Sequence, residues 1–180
     1  IKGVAKKTIG IEPNVEYLDS LISKGHEIYR SIDECEKLYG NVDIVISFGV
    51  IEHIQNPLDY LKSSFNLLKP AGKLYLETDN LDDILFQFNI TDFNSFYYRT
   101  VHNWYFDKNS LRLLGEKAGF SFVQPGFRHG YGLSNTMNWL NLKSPKGNDR
   151  LPFINEALDY NWRKTLEKEG FAELLCFVLQ

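Results

Sequence analysis

The sequence predicts an α/β protein built on a mainly parallel sheet, and three features predict it. A short β-branched run at residues 44–46 ends near Gly49, which is typical of a buried strand. A second strand-like run, residues 73–78, follows a segment of helical periodicity that Asn56 and Pro57 open. With 180 residues, 43% hydrophobic and 24% charged, the chain has the size and composition of one globular domain.

The first half of the chain alternates strand and helix signals. We expect strands at residues 7–11 and 26–30, separated by a helix that Asn14 caps and Gly25 ends. The β-branched run at 44–46 and the run at 73–78 continue the alternation, with a helix between them.

The second half adds four further elements and one ambiguous stretch. A helix is expected at residues 107–118, with a strand at 120–126 behind it. A long helix at 152–169 leads to a final strand at 171–179. Residues 81–98 are rich in aromatics but weakly periodic, which favours a helix followed by a loop. The leucines expected to face inward from the 107–118 helix are Leu111, Leu113 and Leu114.

Acidic and imidazole side chains fall where two of these strands end. Glu12 follows the first strand, and a carboxylate at that position can accept both hydroxyls of a ribose. A solvated turn acid is the alternative. Gly49 permits a sharp turn after the 44–46 strand, and Glu52 and His53 follow it at once. Ligands in open α/β sheets bind beyond the carboxyl ends of strands, so chemistry is expected here.

Several strings match one family. Residues 41–57 (NVDIVISFGVIEHIQNP) resemble the fourth-strand region of class I S-adenosylmethionine-dependent methyltransferases, commonly D-hydrophobic-V-x-x-x-x-V-hydrophobic-E-H. Residues 68–72 (LKPAG) resemble the family's L-K-P-x-G string, and residues 10–13 (GIEP) its second-strand motif. Residues 110–120 resemble its S-L-x-x-L-L-x-x-A-G-F helix. The resemblance implies a Rossmann-like methyltransferase sheet with flanking helices, spanning residues 1–180 as one partial domain.

The resemblance also implies S-adenosylmethionine as the cofactor. Its glycine-rich cofactor loop and first strand are missing from the 180 residues, and we expect them to precede Ile1. That strand lies between the family's second and fourth strands, so these residues hold a half site. Asp33 lies either near the adenine or at the cap of a short helix at 34–38. The expected cofactor contacts are Glu12 and Pro13, Ser31 and Ile32, and Phe48, Gly49 and Val50.

The chemistry that the resemblance implies is methyl transfer to a hydroxyl, or an activated carbon, of a sugar, sugar nucleotide or similar small molecule. A hydroxyl needs a general base, and neutral histidine suits that task near pH 7. The candidate bases are His53, then His102, then His129, each with packing or surface roles as the alternative. Glu52 and Tyr105 are candidates for orienting the acceptor.

Residues 127–169 are expected to form a substrate-binding insertion. The string Y-G-L-S-N-x-x-N-W-L within it resembles methyltransferases of polysaccharide and sugar-nucleotide pathways. Arg128, Tyr131 and Asn135 offer polar groups beside an aromatic face and are the predicted substrate contacts.

Composition sets the expected partners. The net charge is −3 and no Lys/Arg stripe is clustered, so we expect a small-molecule partner and no nucleic acid. No run suits a bilayer span, and the two distant cysteines, Cys35 and Cys176, favour a cytoplasmic protein with no metal site. The oligomeric state is not predicted. The alternatives are an NAD-dependent oxidoreductase, with Glu12 on the NAD ribose, and a non-catalytic methyltransferase-like domain.

Overall fold

The computed structural model describes residues 4–147 and 149–180, in which six strands and seven α-helices alternate. Short 3-10 helices lie at Val15–Tyr17, Ile32–Leu38 and Ile51–His53. The strands are β1 (Ile9–Ile11), β2 (Glu27–Tyr29), β3 (Val42–Phe48), β4 (Leu68–Asp79), β5 (Val123–Arg128) and β6 (Leu174–Leu179). The helices are α1 (Leu18–Ser23), α2 (Pro57–Leu67), α3 (Ile84–Gln87), α4 (Thr91–Tyr97), α5 (Lys108–Ala118), α6 (Leu133–Leu142) and α7 (Glu156–Glu169).

The strands form two sheets. The larger has the order β3-β4-β6-β5, with β3 parallel to β4 and β6 antiparallel to both of its neighbours. The smaller is the parallel pair β1-β2. Within the described ranges no strand pairing joins β1 to β3. The predicted α/β class, a Rossmann-like sheet with flanking helices, is confirmed.

The main core lies between the larger sheet and helices α2 and α5. Antiparallel pairing places Leu74 opposite Leu179 and Leu76 opposite Phe177, so these four side chains share one face. All four are 1% exposed or less. Leu61 of α2 and Leu111 of α5 join the same cluster. This packed layer fixes the positions at which β3 and β4 end.

β3 has one covered face and one exposed face. Tyr60 of α2 donates its hydroxyl hydrogen bond to Ser47 Oγ at 2.9 Å, on the covered side. Ile44, Ile46 and Phe48, on the other side, are each 55–56% exposed. The expectation of a fully buried strand is therefore wrong for the described residues, because α2 covers only one face of this edge strand.

Helix α6 was not expected from the sequence. Its inward positions carry polar side chains, so the segment lacks the apolar periodicity by which helices are recognised. The polar side chains are satisfied by local partners instead: Asn135 donates to Gly147 O at 2.9 Å, and Asn138 to Asp149 O at 3.3 Å. The buried residues of α6 are Ser134, Asn135, Thr136, Asn138 and Trp139.

Helix α5 differs from expectation in its orientation. Leu111 is fully buried and Leu114 packs against the core, but Leu113 is 47% exposed. Gly115 and Ala118 complete the buried face. Expecting Leu113 inward was wrong, since its direction on the helix diverges from that of Leu111.

Asp83, which caps α3, predicts a pH-dependent stability. Its carboxylate accepts from Leu85 N at 2.7 Å and is only 4% exposed. Burial, reinforced by the charges of Glu173 and Asp79, raises the pKa of Asp83 from 3.8 to about 7. Because the folded pKa exceeds the unfolded value, Asp83 contributes most stability below pH 3.8, and that contribution is lost as the pH rises through about 7.

We therefore expect Asp83→Asn, which keeps a capping oxygen without the charge, to be more stable than the native chain at pH 8. We expect the melting temperature of the variant to be higher by about 2–4 °C, which corresponds to roughly 1 kcal/mol in the free energy of unfolding for a chain of this size. The difference in melting temperature between the variant and the native chain should become smaller as the pH falls to 5. Circular dichroism melts at both pH values measure it, with exposed Asp82→Asn as the control. No gain at pH 8 would show that burial does not raise the pKa of the Asp83 carboxyl.

Candidate active site at the ends of β3 and β4

The candidate site lies where two parallel strands end side by side. Gly49, which follows β3, donates its N–H to Glu77 O of β4 at 3.0 Å. The φ of Gly49 is +64°, a left-handed conformation that glycine adopts without strain. It redirects the chain into the 3-10 helix Ile51–His53, which sets Glu52 and His53 beyond the edge of the sheet.

Glu52 is a buried carboxylate with one oxygen satisfied. The residue is 5% exposed, and its Oε2 accepts from Thr78 Oγ1 at 2.8 Å. Its Oε1 lies 3.9 Å from His53 Nε2. A carboxylate held this way can stabilise positive charge on the neighbouring imidazole.

The tautomer of His53 follows from its partner. Nδ1 lies 2.9 Å from Val101 O, and because a carbonyl can only accept, Nδ1 carries the proton. Nε2 therefore presents its lone pair. The side chain is 44% exposed, so this nitrogen is accessible to a substrate. A neutral imidazole oriented by a backbone carbonyl has the properties of a general base.

His102 packs against His53 from a distant part of the chain. The two rings are 4.8 Å apart and meet edge to face at 82°. The His102 side chain is 8% exposed, and its Nδ1, 3.5 Å from Asp79 Oδ2, makes no hydrogen bond within the described residues. Burial raises the pKa of Asp79, and the His102 charge opposes that rise.

Backbone and side-chain hydrogen bonds hold residues 101–106 against this site. Asn103 N donates to Glu52 O at 2.7 Å, and Asn103 Nδ2 donates to His53 O at 2.7 Å. Trp104 Nε1 donates to Gln55 O at 3.2 Å. These bonds join segments some 50 residues apart, so sequence spacing held no signal of the contact. Asn103 and Thr78 are the positioning residues that sequence reasoning missed.

The predicted cofactor contacts form two groups at strand ends. Glu12 follows β1 and is half-buried, and its Oε1 accepts from Asn14 N at 2.8 Å. Pro13 is exposed, whereas Ser31 and Ile32, after β2, are half-buried. The helix there begins at Ile32, so Asp33 lies in its first turn. The second group follows β3 and consists of exposed Phe48, exposed Gly49 and half-buried Val50.

The polar groups of Tyr105 and Arg128 form hydrogen bonds to other groups of the protein. The Tyr105 hydroxyl accepts from Arg99 N at 2.6 Å and donates to Tyr97 O at 3.2 Å. Arg128 forms a two-pronged ion pair with Glu77, at 2.8 and 2.7 Å. The guanidinium lowers the pKa of Glu77. Both side chains are held in place by these bonds, and the Arg128 guanidinium keeps N–H donors beyond the two that contact Glu77.

His129, Tyr131 and Asn135 lie beyond β5, apart from the Glu52–His53–His102 cluster. His129 is buried, its Nδ1 accepts from Glu173 N at 3.1 Å, and burial lowers its pKa to about 4. Tyr131 is 39% exposed. A polar cavity of about 300 Å³ lies nearby. Its polar lining side chains are Ser134, Asn135, Asp149, Arg150, Asp159 and Arg163.

Across the described residues, no helix has the length and apolar character needed to cross a bilayer.

Comparison with known sequences identifies relatives of this chain. Residues 2–124 match the family model described as methyltransferase domain. The tRNA U34 carboxymethyltransferase of Helicobacter pylori (strain Shi470) is 30% identical over 127 residues, 64% of this chain and 48% of that protein. The enzyme of the same name from Mannheimia succiniciproducens is 30% identical over 138 residues, 67% and 40% of the two chains. The chain thus spans about half the length, or less, of these curated relatives.

Solved structures share the fold. A SAM-dependent methyltransferase from Archaeoglobus fulgidus superposes with a TM-score of 0.60 at 16% identity, covering 95% of this chain and 74% of that one. A possible histamine N-methyltransferase from Thermotoga maritima gives a TM-score of 0.61 at 14% identity, covering 96% and 72%.

These relatives correct one expectation and decide another. The prediction of a small-molecule partner and no nucleic acid is wrong, because the curated relatives are named for a tRNA substrate. The net charge of a stretch that spans half of such a protein is no guide to its partner. Cofactor specificity follows the family, which uses S-adenosylmethionine rather than NAD. With its methyltransferase-domain match and methyltransferase fold, the chain belongs to the S-adenosylmethionine-dependent methyltransferases.

Proposed function

We propose that this domain transfers the methyl group of S-adenosylmethionine, or a substituted methyl group, to an oxygen of a tRNA nucleoside. The observation that carries the proposal is the accessible lone pair of His53 Nε2, held beside the buried Glu52 carboxylate at the end of β3. A base at that position suits an acceptor that must lose a proton.

The residues after β1, β2 and β3 fit the cofactor. Glu12 has one carboxylate oxygen engaged by Asn14 N and the other available for ribose hydroxyls. The exposed Phe48 ring offers an apolar surface for a base, and a Cβ on Gly49 would stand 3.5 Å from Glu52 Oε1, at the approach to the site. Ser31 and Ile32 follow the carboxyl end of β2. Pro13 and Val50 are the remaining proposed cofactor contacts.

We assign each residue of the site a separate role in methyl transfer. S-adenosylmethionine supplies an electrophilic methyl group on a sulfonium when it is bound. His53 Nε2 accepts the proton of the acceptor hydroxyl, and Glu52 Oε1, 3.9 Å away, stabilises the resulting imidazolium. Val101 O orients the His53 ring, Asn103 holds the His53 backbone, and Thr78 orients the Glu52 carboxylate. His102 is the alternative base, whereas the buried His129 has its Nδ1 lone pair engaged by Glu173 N and does not suit that role.

The tRNA acceptor is drawn from the names of the curated relatives. About half of each relative lies outside the matched stretch, so this domain need not carry the positive charge that binds RNA. We assign residues 127–169 to the acceptor side, since their polar cavity contains Arg150 and Arg163. Two guanidinium groups can contact phosphate or base edges.

Transfer to RNA is tested directly. Full-length protein is incubated with S-adenosylmethionine carrying a radioactive methyl group and unfractionated bacterial tRNA, and the tRNA is then digested to nucleosides. Label in one modified nucleoside is the expected result. Label in a sugar nucleotide but not in tRNA would overturn the acceptor, and binding of NAD in place of S-adenosylmethionine would overturn the reaction.

A further inference from the structure

Three potential metal ligands converge beyond the ends of β3 and β4, and a fourth, Asp79, lies next to one of them. Glu52, His53 and His102 each offer one ligand atom, and these atoms lie within 4.8 Å of one another. Asp79 adds a carboxylate oxygen 3.5 Å from His102 Nδ1. Two imidazoles with carboxylates form a donor set that suits zinc and other first-row transition metals better than Mg²⁺. We propose that these residues bind one divalent transition-metal ion, with Zn²⁺ as the best match.

His102 gives an independent reason to place a cation here. Its side chain is 8% exposed, yet its Nδ1 has no hydrogen-bond partner among the described residues. A buried polar atom without a partner is destabilising, so native structures rarely leave one. A metal ion bound to this nitrogen would satisfy it, and the Asp79 carboxylate, 3.5 Å from the same nitrogen, would then lie beside the ion.

Outer hydrogen bonds orient the proposed ligands. Val101 O accepts from His53 Nδ1, which directs Nε2 toward Glu52, and Thr78 Oγ1 engages Glu52 Oε2, which leaves Oε1 available. Metal-binding histidines and carboxylates are characteristically held by such partners. Ligand atoms bound to Zn²⁺ lie about 2.0–2.2 Å from the ion, so the 3.9 Å between Nε2 and Oε1 needs only a small closure.

The expectation of no metal site was based on cysteine spacing, and the ligands here are histidines and acids separated by 49 residues in sequence. A bound metal ion would occupy the lone pair of His53 Nε2, so His53 would serve as a ligand in place of the general base, and the cation would lower the pKa of an acceptor hydroxyl instead. The hydroxyl proton then leaves to solvent. This catalytic role rests on the proposed function, whereas metal binding itself does not.

Zinc binding to full-length protein tests the proposal. Protein stripped with EDTA and dialysed is titrated with Zn²⁺ by calorimetry, and we expect one ion per chain. His102→Ala should weaken binding by more than tenfold, as should the milder Thr78→Val, which removes only the hydroxyl that orients Glu52. His26→Ala, at the opposite end of β2, is the control and should bind like the native chain. Circular dichroism checks that each variant is folded.

No stoichiometric binding by native protein, or equal binding by folded His102→Ala, would overturn the metal site. Methyl transfer is assayed on the same samples with and without EDTA. If the protein binds no zinc and methyl transfer continues in EDTA, the metal site is rejected and the proposed function stands. Zinc binding without any transfer removes the proposed function and leaves the metal site.

Discussion

His53→Gln is expected to lower the kcat of methyl transfer by about 10²–10⁴-fold, the range that one general base supplies. Glutamine nearly matches the size of histidine and can still donate to Val101 O, which accepts from His53 Nδ1. Its amide cannot accept a proton at neutral pH. The affinity for S-adenosylmethionine should be unchanged, since no cofactor contact is assigned to this ring.

Single-turnover kinetics with saturating cofactor would measure the loss, because they isolate the chemical step from product release. His26→Gln makes the same substitution at a histidine whose Nδ1 contacts Thr8 Oγ1, and it should leave kcat unchanged. Full kcat in His53→Gln would remove His53 as the base and leave His102 as the next candidate.

The sequence predicted those parts of the fold that local pattern specifies. The run at residues 73–78 and the helix at 107–118 were located because periodicity and flanking turn residues mark them. β4 begins earlier, at Leu68, and its pairing with β3 shifts register between Val42 and Ile44. Strand boundaries of this kind depend on pairing across the sheet, which no local pattern records.

The candidate site was predicted only in part. Glu52 and His53 stand together in the sequence, beside a turn glycine, and the family motif marks them. His102 joins them through hydrogen bonds to residues 52–55, and these contacts leave no periodic trace in the sequence. The approach of Asp79 to His102 likewise depends on the tertiary fold.

The prediction of a small-molecule partner and no nucleic acid was wrong for a different reason. Net charge reports on association with nucleic acid only when the whole binding surface is counted. Helix α6 was not predicted for a third reason, because polar residues occupy its buried face. The side chains of Asn135 and Asn138 there donate hydrogen bonds to the carbonyls of residues 147 and 149. Such tertiary hydrogen bonds make polar residues acceptable in a core.

Leu111→Ala is expected to cost about 2–5 kcal/mol in the free energy of unfolding, whereas Leu113→Ala should cost less than about 1 kcal/mol. The two leucines lie two positions apart on α5, and the substitution removes the same atoms from each. Leu111 is fully buried against Leu74 and Leu179, among others in the core cluster, and Leu113 is 47% exposed.

Helix geometry explains the difference, because about 3.6 residues per turn place side chains two apart on nearly opposite faces. Only one of them can face the sheet. Urea unfolding would measure both values, and an unchanged dependence on urea concentration would show that the unfolded states are comparable. Equal costs would mean that α5 is rotated from the orientation described, with Leu113 also covered. The Gly115 approach to Leu179, where an added Cβ would come within 2.7 Å, argues against that rotation.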